Sequence, residues 1–209
     1  MRIPSSNRLL RHMMSTAIAL SLWTGHALAN GEAKTHDGFF LRMTTGFGYA
    51  ETSAEFFGIK DKYKGGSGAA NLAIGGIVAS NLALHGTFFG WFAQNPDLTL
   101  GPLAGEYDGD MTMSGVGAGV TYYLMPSNVY FSATLGTSQL EFNDSGGGAT
   151  TTDWGFAFDF NLGKEWWVSN NWALGLAGDV GFHNVPDATV NGADWSGYNF
   201  SILFSATFN

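Results

Sequence analysis

Few side chains in this chain of 209 residues have chemistry to offer. Beyond residue 29 the histidines are His36, His85 and His183, and the chain contains no cysteine. Covalent catalysis would therefore need a hydroxyl nucleophile next to one of three imidazoles. His183 is the best placed of them, beside a polar loop in Phe182-His183-Asn184-Val185. A lone histidine in that setting reads as a rim residue. Glu106-Tyr-Asp108-Gly-Asp110 carries carboxylates at alternate positions, the oxygen donors that Ca²⁺ favours, but the run is too short for an EF-hand loop. A solvated acidic loop is expected there, with Lys60, Lys62 and Lys64 pairing across to it. Arg42, His85, Asp159, Glu165 and Asp179 share strand faces with glycines and other small residues. They form a candidate interior polar network. Opposite charges in a confined space should pair, so Arg42 is expected to meet Asp159, Asp179 or Glu165. No catalytic, cofactor-binding or metal-ligating residue is assigned, and the protein is not expected to be an enzyme.

The segments that position these groups are strands. In Trp154 to Gly163 every even residue (Trp154, Phe156, Phe158, Phe160, Leu162) is large and apolar, and every odd one is small or polar. From Trp172 the pattern resumes, with Leu174, Leu176, Val180 and Phe182 opposite Ala173, Gly175, Ala177, Asp179 and His183. Period two sends successive side chains to opposite faces of a strand. A soluble sheet would cover so many aromatics with a second layer, and the chain offers none. A greasy outside around a small, polar inside is the pattern of a transmembrane β-barrel.

Residues 1–29 read as a cleaved signal peptide. Arg2, Arg8 and Arg11 precede the apolar run Met13 to Trp23, and Ala27-Leu28-Ala29 is an A-x-A site. The run is too short to span a bilayer as a helix. Removing those three arginines from nine Lys and Arg leaves six against 17 Asp and Glu, a mature charge of −11. An acidic exported chain is a poor ligand for nucleic acid. With 30 glycines, 15 % aromatic and 12 % charged residues, it is also unlike an average soluble domain. One domain is expected, residues 39–209, after a polar periplasmic lead-in at 30–38.

Eight antiparallel strands follow in an up-and-down order. They begin near Phe39, Gly68, Leu82, Met111, Val129, Trp154, Trp172 and Trp195. Three tight turns carry one dipeptide, Ser80-Asn81, Ser127-Asn128 and Ser169-Asn170. Asn tolerates the left-handed backbone that hairpin turns need. The other four connections, about 52–67, 93–110, 143–153 and 184–194, are long loops. Short turns on one side and long loops on the other are the asymmetry of outer-membrane barrels. Tyr49, Trp91, Tyr122, Tyr130, Trp154, Trp166, Trp167, Trp172 and Trp195 lie near the strand ends and are expected to form aromatic girdles at the interfaces.

On this architecture the chain resembles the eight-stranded outer-membrane barrels of the OmpX and OmpA-transmembrane-domain type. The last strand strengthens the resemblance: Tyr198, Phe200, Ile202, Phe204 and Phe208 alternate towards an aromatic terminus, followed here by Asn209. It is similar to the signal by which the barrel-assembly machinery recognises its clients. The resemblance implies an outer-membrane location, contact with outer-membrane lipid, periplasmic chaperones in transit and a monomer. Such barrels include adhesins, stabilising proteins, channels and lipid-modifying enzymes. The expected role is structural or surface-interacting through the outer loops. A narrow channel for small solutes is the alternative, and a lipid-A-modifying enzyme the second. The deacylases of that kind carry a His-x-Ser-Asn arrangement, which the residues around His183 lack.

Overall fold

The computed structural model describes residues 36–209, so the signal segment 1–29 and most of the lead-in lie outside the described residues. Eleven strands follow one another: β1 Phe39–Phe56, β2 Ile59–Ala79, β3 Leu82–Gln94, β4 Asp97–Leu100, β5 Leu103–Glu106, β6 Gly109–Leu124, β7 Val129–Asp144, β8 Ala149–Thr151, β9 Gly155–Trp167, β10 Trp172–Pro186 and β11 Asp194–Phe208. Eight of them (β1, β2, β3, β6, β7, β9, β10, β11) form a closed antiparallel ring, because β1 pairs with β11 on one side and β2 on the other. Closure removes the sheet edges, whose unpaired N–H and C=O groups lipid could not satisfy.

The period-two pattern sets the faces. On β11, Phe200, Ile202 and Phe204 are 52 %, 58 % and 58 % exposed, while Leu203 between them is fully buried. Met43, Phe47, Ile74, Leu84, Phe88, Val120, Leu135, Phe156, Leu162, Leu176 and Val180 continue the exposed apolar belt around the ring. Only lipid can cover a belt of that extent. The inner face carries Arg42, Thr44, His85, Thr121, Ser132, Asp159, Asn161, Glu165, Asp179, Asn199 and Ser201, all buried.

Asn81 and Asn128 adopt φ of 61° and 53°, the left-handed conformation expected of the Ser-Asn turns. In the third turn, the backbone N–H of Trp172 donates to Ser169 Oγ at 3.0 Å.

The opposite, loop end departs from expectation. The segment 52–67, expected as a loop, is strand: β1 and β2 stay in register out to Phe56↔Ile59 and turn through Phe57 and Gly58, with φ of 51° and 80°. The turn lacks Asn-Gly, which is why the sequence pattern concealed it. At 18 and 21 residues these strands are roughly twice as long as the 9–11 a tilted strand needs to cross a bilayer. The surplus projects beyond the belt. Likewise the connection 93–110 contains the β4–β5 hairpin, which pairs with β2 through Tyr63↔Leu98 and Asp61↔Leu100. The extended β1–β2 hairpin with β4 and β5 is thus a four-stranded platform beside the mouth. In the connection 143–153, β8 pairs back onto β7.

Candidate functional site

At the turn end the lumen is closed by a residue of the lead-in. His36 is buried, its ring stacked on Tyr123 with centroids 3.6 Å apart. Its Nε2 lies 2.7 Å from Asn128 Oδ1, its Nδ1 contacts the Asn209 amide, and its backbone N–H donates to Asn81 Oδ1 at 3.5 Å. Two of the three turn asparagines therefore also hold the N-terminal segment. A buried imidazole amid polar turn residues gives no periodic signal, so the sequence does not reveal it.

Above this, Glu165 accepts hydrogen bonds from Thr207 Oγ1 at 2.7 Å and Tyr123 Oη at 3.3 Å. The expected pairing of Arg42 with the buried acids does not occur. Arg42 Nη2 donates to Ser132 Oγ at 2.6 Å, and the guanidinium lies over the Tyr130 ring at 4.5 Å. The acids find amides instead: Asn161 Nδ2 donates to Asp159 at 2.6 Å, and Asn199 Nδ2 donates to Asp179 at 2.8 Å. An amide carried two residues along the strand, or on the next strand, meets a carboxylate with little reach, whereas Arg42 spans the ring to β7, the strand opposite β1. His85 bridges Thr87 at 2.8 Å and Thr121 at 2.9 Å. The space left between Arg42, Asp159, Asn71 and Thr134 is about 10 Å³, room for about one water.

Trp91, Tyr130 and Trp195 do not sit in the girdles. They are 2 %, 0 % and 6 % exposed and point into the barrel. Trp167 turns the same way, tilted against His36 at 5.0 Å. Parity explains all four: each shares its strand's inward register, and level along the strand alone cannot place a side chain. Tyr49, Tyr122, Trp154 and Trp166 are exposed on the outer face, and Trp172 packs edge-on against Phe208 at 5.3 Å. Lys164, at the belt's edge, reaches Ser127 O at 2.7 Å.

Towards the loop end, Trp91, Met111, Met113, Leu140 and Val185 fill the lumen. His183 is fully buried there, its Nε2 3.0 Å from Thr52 Oγ1. Over them lies an aromatic tier built from the projecting strands. Tyr63 has its ring centroid 5.1 Å from Phe142, 5.4 Å from Tyr107 and 5.7 Å from Trp195, and Phe142 is 5.0 Å from Trp195. These four rings, Thr150, Thr151, Thr152 and Asp187 enclose a pocket of about 200 Å³. Asp187 is fixed in place by Trp195 Nε1 at 3.0 Å and by the backbone N–H groups of Thr189 and Val190, both at 2.8 Å. Partial burial pushes its carboxyl up, but those hydrogen bonds with that of the Thr189 hydroxyl outweigh it and hold the group below the usual carboxylate range. Burial pushes the Tyr63 phenol up to about 12.

The charged loop residues behave differently from expectation. Lys62 pairs with Glu51 at 2.6 Å and not with the acidic run. Asp108 accepts from Ser145 Oγ at 2.6 Å, tying two connections together. Among the described residues, no group of acids and histidines converges on a cation site. A separate hollow of about 690 Å³ in the wall, where Gly68, Ala70 and Gly90 face Phe88 and Phe92, has no titratable lining residue among the described residues.

A closed eight-stranded ring, an apolar belt and a filled lumen, polar over its turn half, define an integral β-barrel of the outer-membrane type. The fold is similar to that of Neisserial surface protein A, over 82 % of this chain and 96 % of that one, at 16 % identity and a TM-score of 0.51. It is also similar to the outer membrane protein OprG from Pseudomonas aeruginosa, over 85 % and 100 %, at 13 % identity and a TM-score of 0.49. No protein-family model and no curated protein matches the chain. At these identities the likeness is one of fold.

Proposed function

We propose that this protein resides in the outer membrane as a monomeric, non-enzymatic barrel with a structural or surface-interaction role, exerted through the loop end. One contrast carries the reading: the lumen is filled along its length, whereas the loop end is built out into an ordered platform. From His36 to Trp195 each level of the lumen is occupied by buried side chains that hydrogen-bond or pack across it. That filling weighs against the channel. Against acyl-transfer chemistry stands the enclosure of His85 and His183, whose hydroxyl partners are themselves buried threonines. Export by the 1–29 signal, chaperones in transit, recognition of Tyr198 to Phe208 by the barrel-assembly machinery and lipid around the belt belong to the same reading.

Conductance tests it. Refolded mature protein in a planar bilayer, shown to be folded by its heat-dependent gel mobility, is expected to be electrically silent. Discrete openings that change in Arg42→Ala would establish a pore and overturn the reading.

A further inference from the structure

The pocket at the mouth has a composition suited to one kind of ligand. We propose that the site formed by Tyr63, Tyr107, Phe142, Trp195 and Asp187 binds a small organic ammonium ion from the surrounding medium. This deepens the surface-interaction reading and rests on it in one respect, that the loop end faces that medium.

Four observations support it. Rings from β2, β7, β11 and the connection after β5 converge on one small space. Aromatic faces carry negative charge density, so several around one space favour a cation, and alkylated ammonium groups most, since they shed water readily. A carboxylate stands in the same lining, and its hydrogen bonds hold it both oriented and ionised. Among the described residues, no lysine or arginine lines the pocket to occupy that position. Lys60, Lys62 and Lys64 alternate with Asp61 and Tyr63 on β2 and so occupy the platform's other face, where Lys62 is held by Glu51.

Size and field agree. About 200 Å³ is below the roughly 300–1,000 Å³ of sites for drug-sized molecules, and suits a head group such as choline. Asp144 and Asp110 stand close enough to add to burial in pushing the Tyr107 phenol up, so the surrounding field is negative. Such a field attracts cations and repels anions. A phosphate-bearing ligand is therefore disfavoured, and the free cation is the occupant. The Thr152 hydroxyl is engaged with the Leu140 N–H and the Asp153 carbonyl, so the exposed Thr150 and Thr151 are the hydroxyls offered beside the ammonium.

Titration calorimetry on the refolded mature chain, with choline and tetramethylammonium as probes, tests the site. The neutral isostere 3,3-dimethylbutan-1-ol, phosphocholine and glucose serve as comparisons. Saturable choline binding at roughly millimolar concentration or tighter is expected, with the alcohol, phosphocholine and glucose at least about tenfold weaker. Asp187→Asn and Tyr107→Leu, both outside the ring of spanning strands, should each weaken choline about tenfold, while Lys64→Gln, on the platform's other face, keeps the affinity. Equal binding of choline and the alcohol would show a merely apolar pocket and overturn the proposal. So would glucose or phosphocholine binding more tightly than choline, unchanged affinity in Asp187→Asn, or no saturation. The same preparation is placed in the planar bilayer. Silence without choline binding would sink the cation site alone, whereas openings would sink the surface-interaction reading by themselves.

Discussion

Replacing Ile202 by arginine separates a lipid-facing belt from a merely exposed one. Ile202 stands near the middle of β11, opposite Phe47 on β1 and Gly178 on β10, and its side chain is 58 % exposed on the outer face. In water, an arginine at a site that open changes stability by no more than about 0.5 kcal/mol. At the bilayer midplane the same change costs about 2–4 kcal/mol, a factor of roughly 30 to 900 in the folding equilibrium. Depth supplies the internal control. Tyr198 lies four residues along the same face, opposite Phe182 and Glu51 at the belt's edge, where an arginine reaches water and costs about 0–1 kcal/mol. Both variants are titrated with urea after refolding into lipid vesicles, following tryptophan emission and confirming folding by gel mobility. Ile202→Arg should lose the larger amount and Tyr198→Arg little. If Ile202→Arg stays within about 0.5 kcal/mol of the parent, or the two variants cost the same, the belt does not meet hydrocarbon and the transmembrane assignment fails.

Two further outcomes follow from local geometry. A Cβ at Gly46 would come within 1.9 Å of the Ile202 carbonyl, whereas one at Gly178 meets nothing within 4 Å. Gly46→Ala should therefore cost about 1–3 kcal/mol in the same titration and Gly178→Ala no more than about 0.5, and equal costs would refute the close approach of β1 and β11. Asp187 is held below the usual carboxylate range by the hydrogen bonds that outweigh its burial, so the order it lends to the 187–193 loop is complete above its unfolded value and lost as pH falls through its lowered one. Tryptophan emission of the parent, with Asp187→Asn as the reference, should stay constant from pH 8 to about 5 and shift only below about pH 4. A transition centred near neutral pH would assign the loop's order to another group.

Much of the barrel was legible because its signal is local. Alternation in 154–163 and 172–182 places side chains on two faces without reference to any partner strand, and the Ser-Asn dipeptides mark turns through the backbone preference of asparagine alone. Alternation along β3 turns Phe89 and Trp91 inward with His85 and Thr87, whereas ranking aromatics by their level along the strand placed Trp91, Tyr130 and Trp195 in the girdles. Parity is a property of the strand. A girdle depends on height in the closed ring, which no single strand contains.

By itself the sequence determined the class of fold, the count of spanning strands and which faces are apolar, since each depends on composition or spacing within about ten residues. Tertiary structure alone decided who meets whom. Register across the ring placed Arg42 beside Ser132 and Tyr130 instead of an acid, folded His36 back onto Tyr123 and Asn128, and extended β1 and β2 into a platform. It also drew Tyr63, Tyr107, Phe142, Asp187 and Trp195 around one pocket, though Tyr63 and Trp195 are 132 positions apart in the chain. Such contacts arise from strand pairing, tilt and closure, which act between segments that share no local pattern.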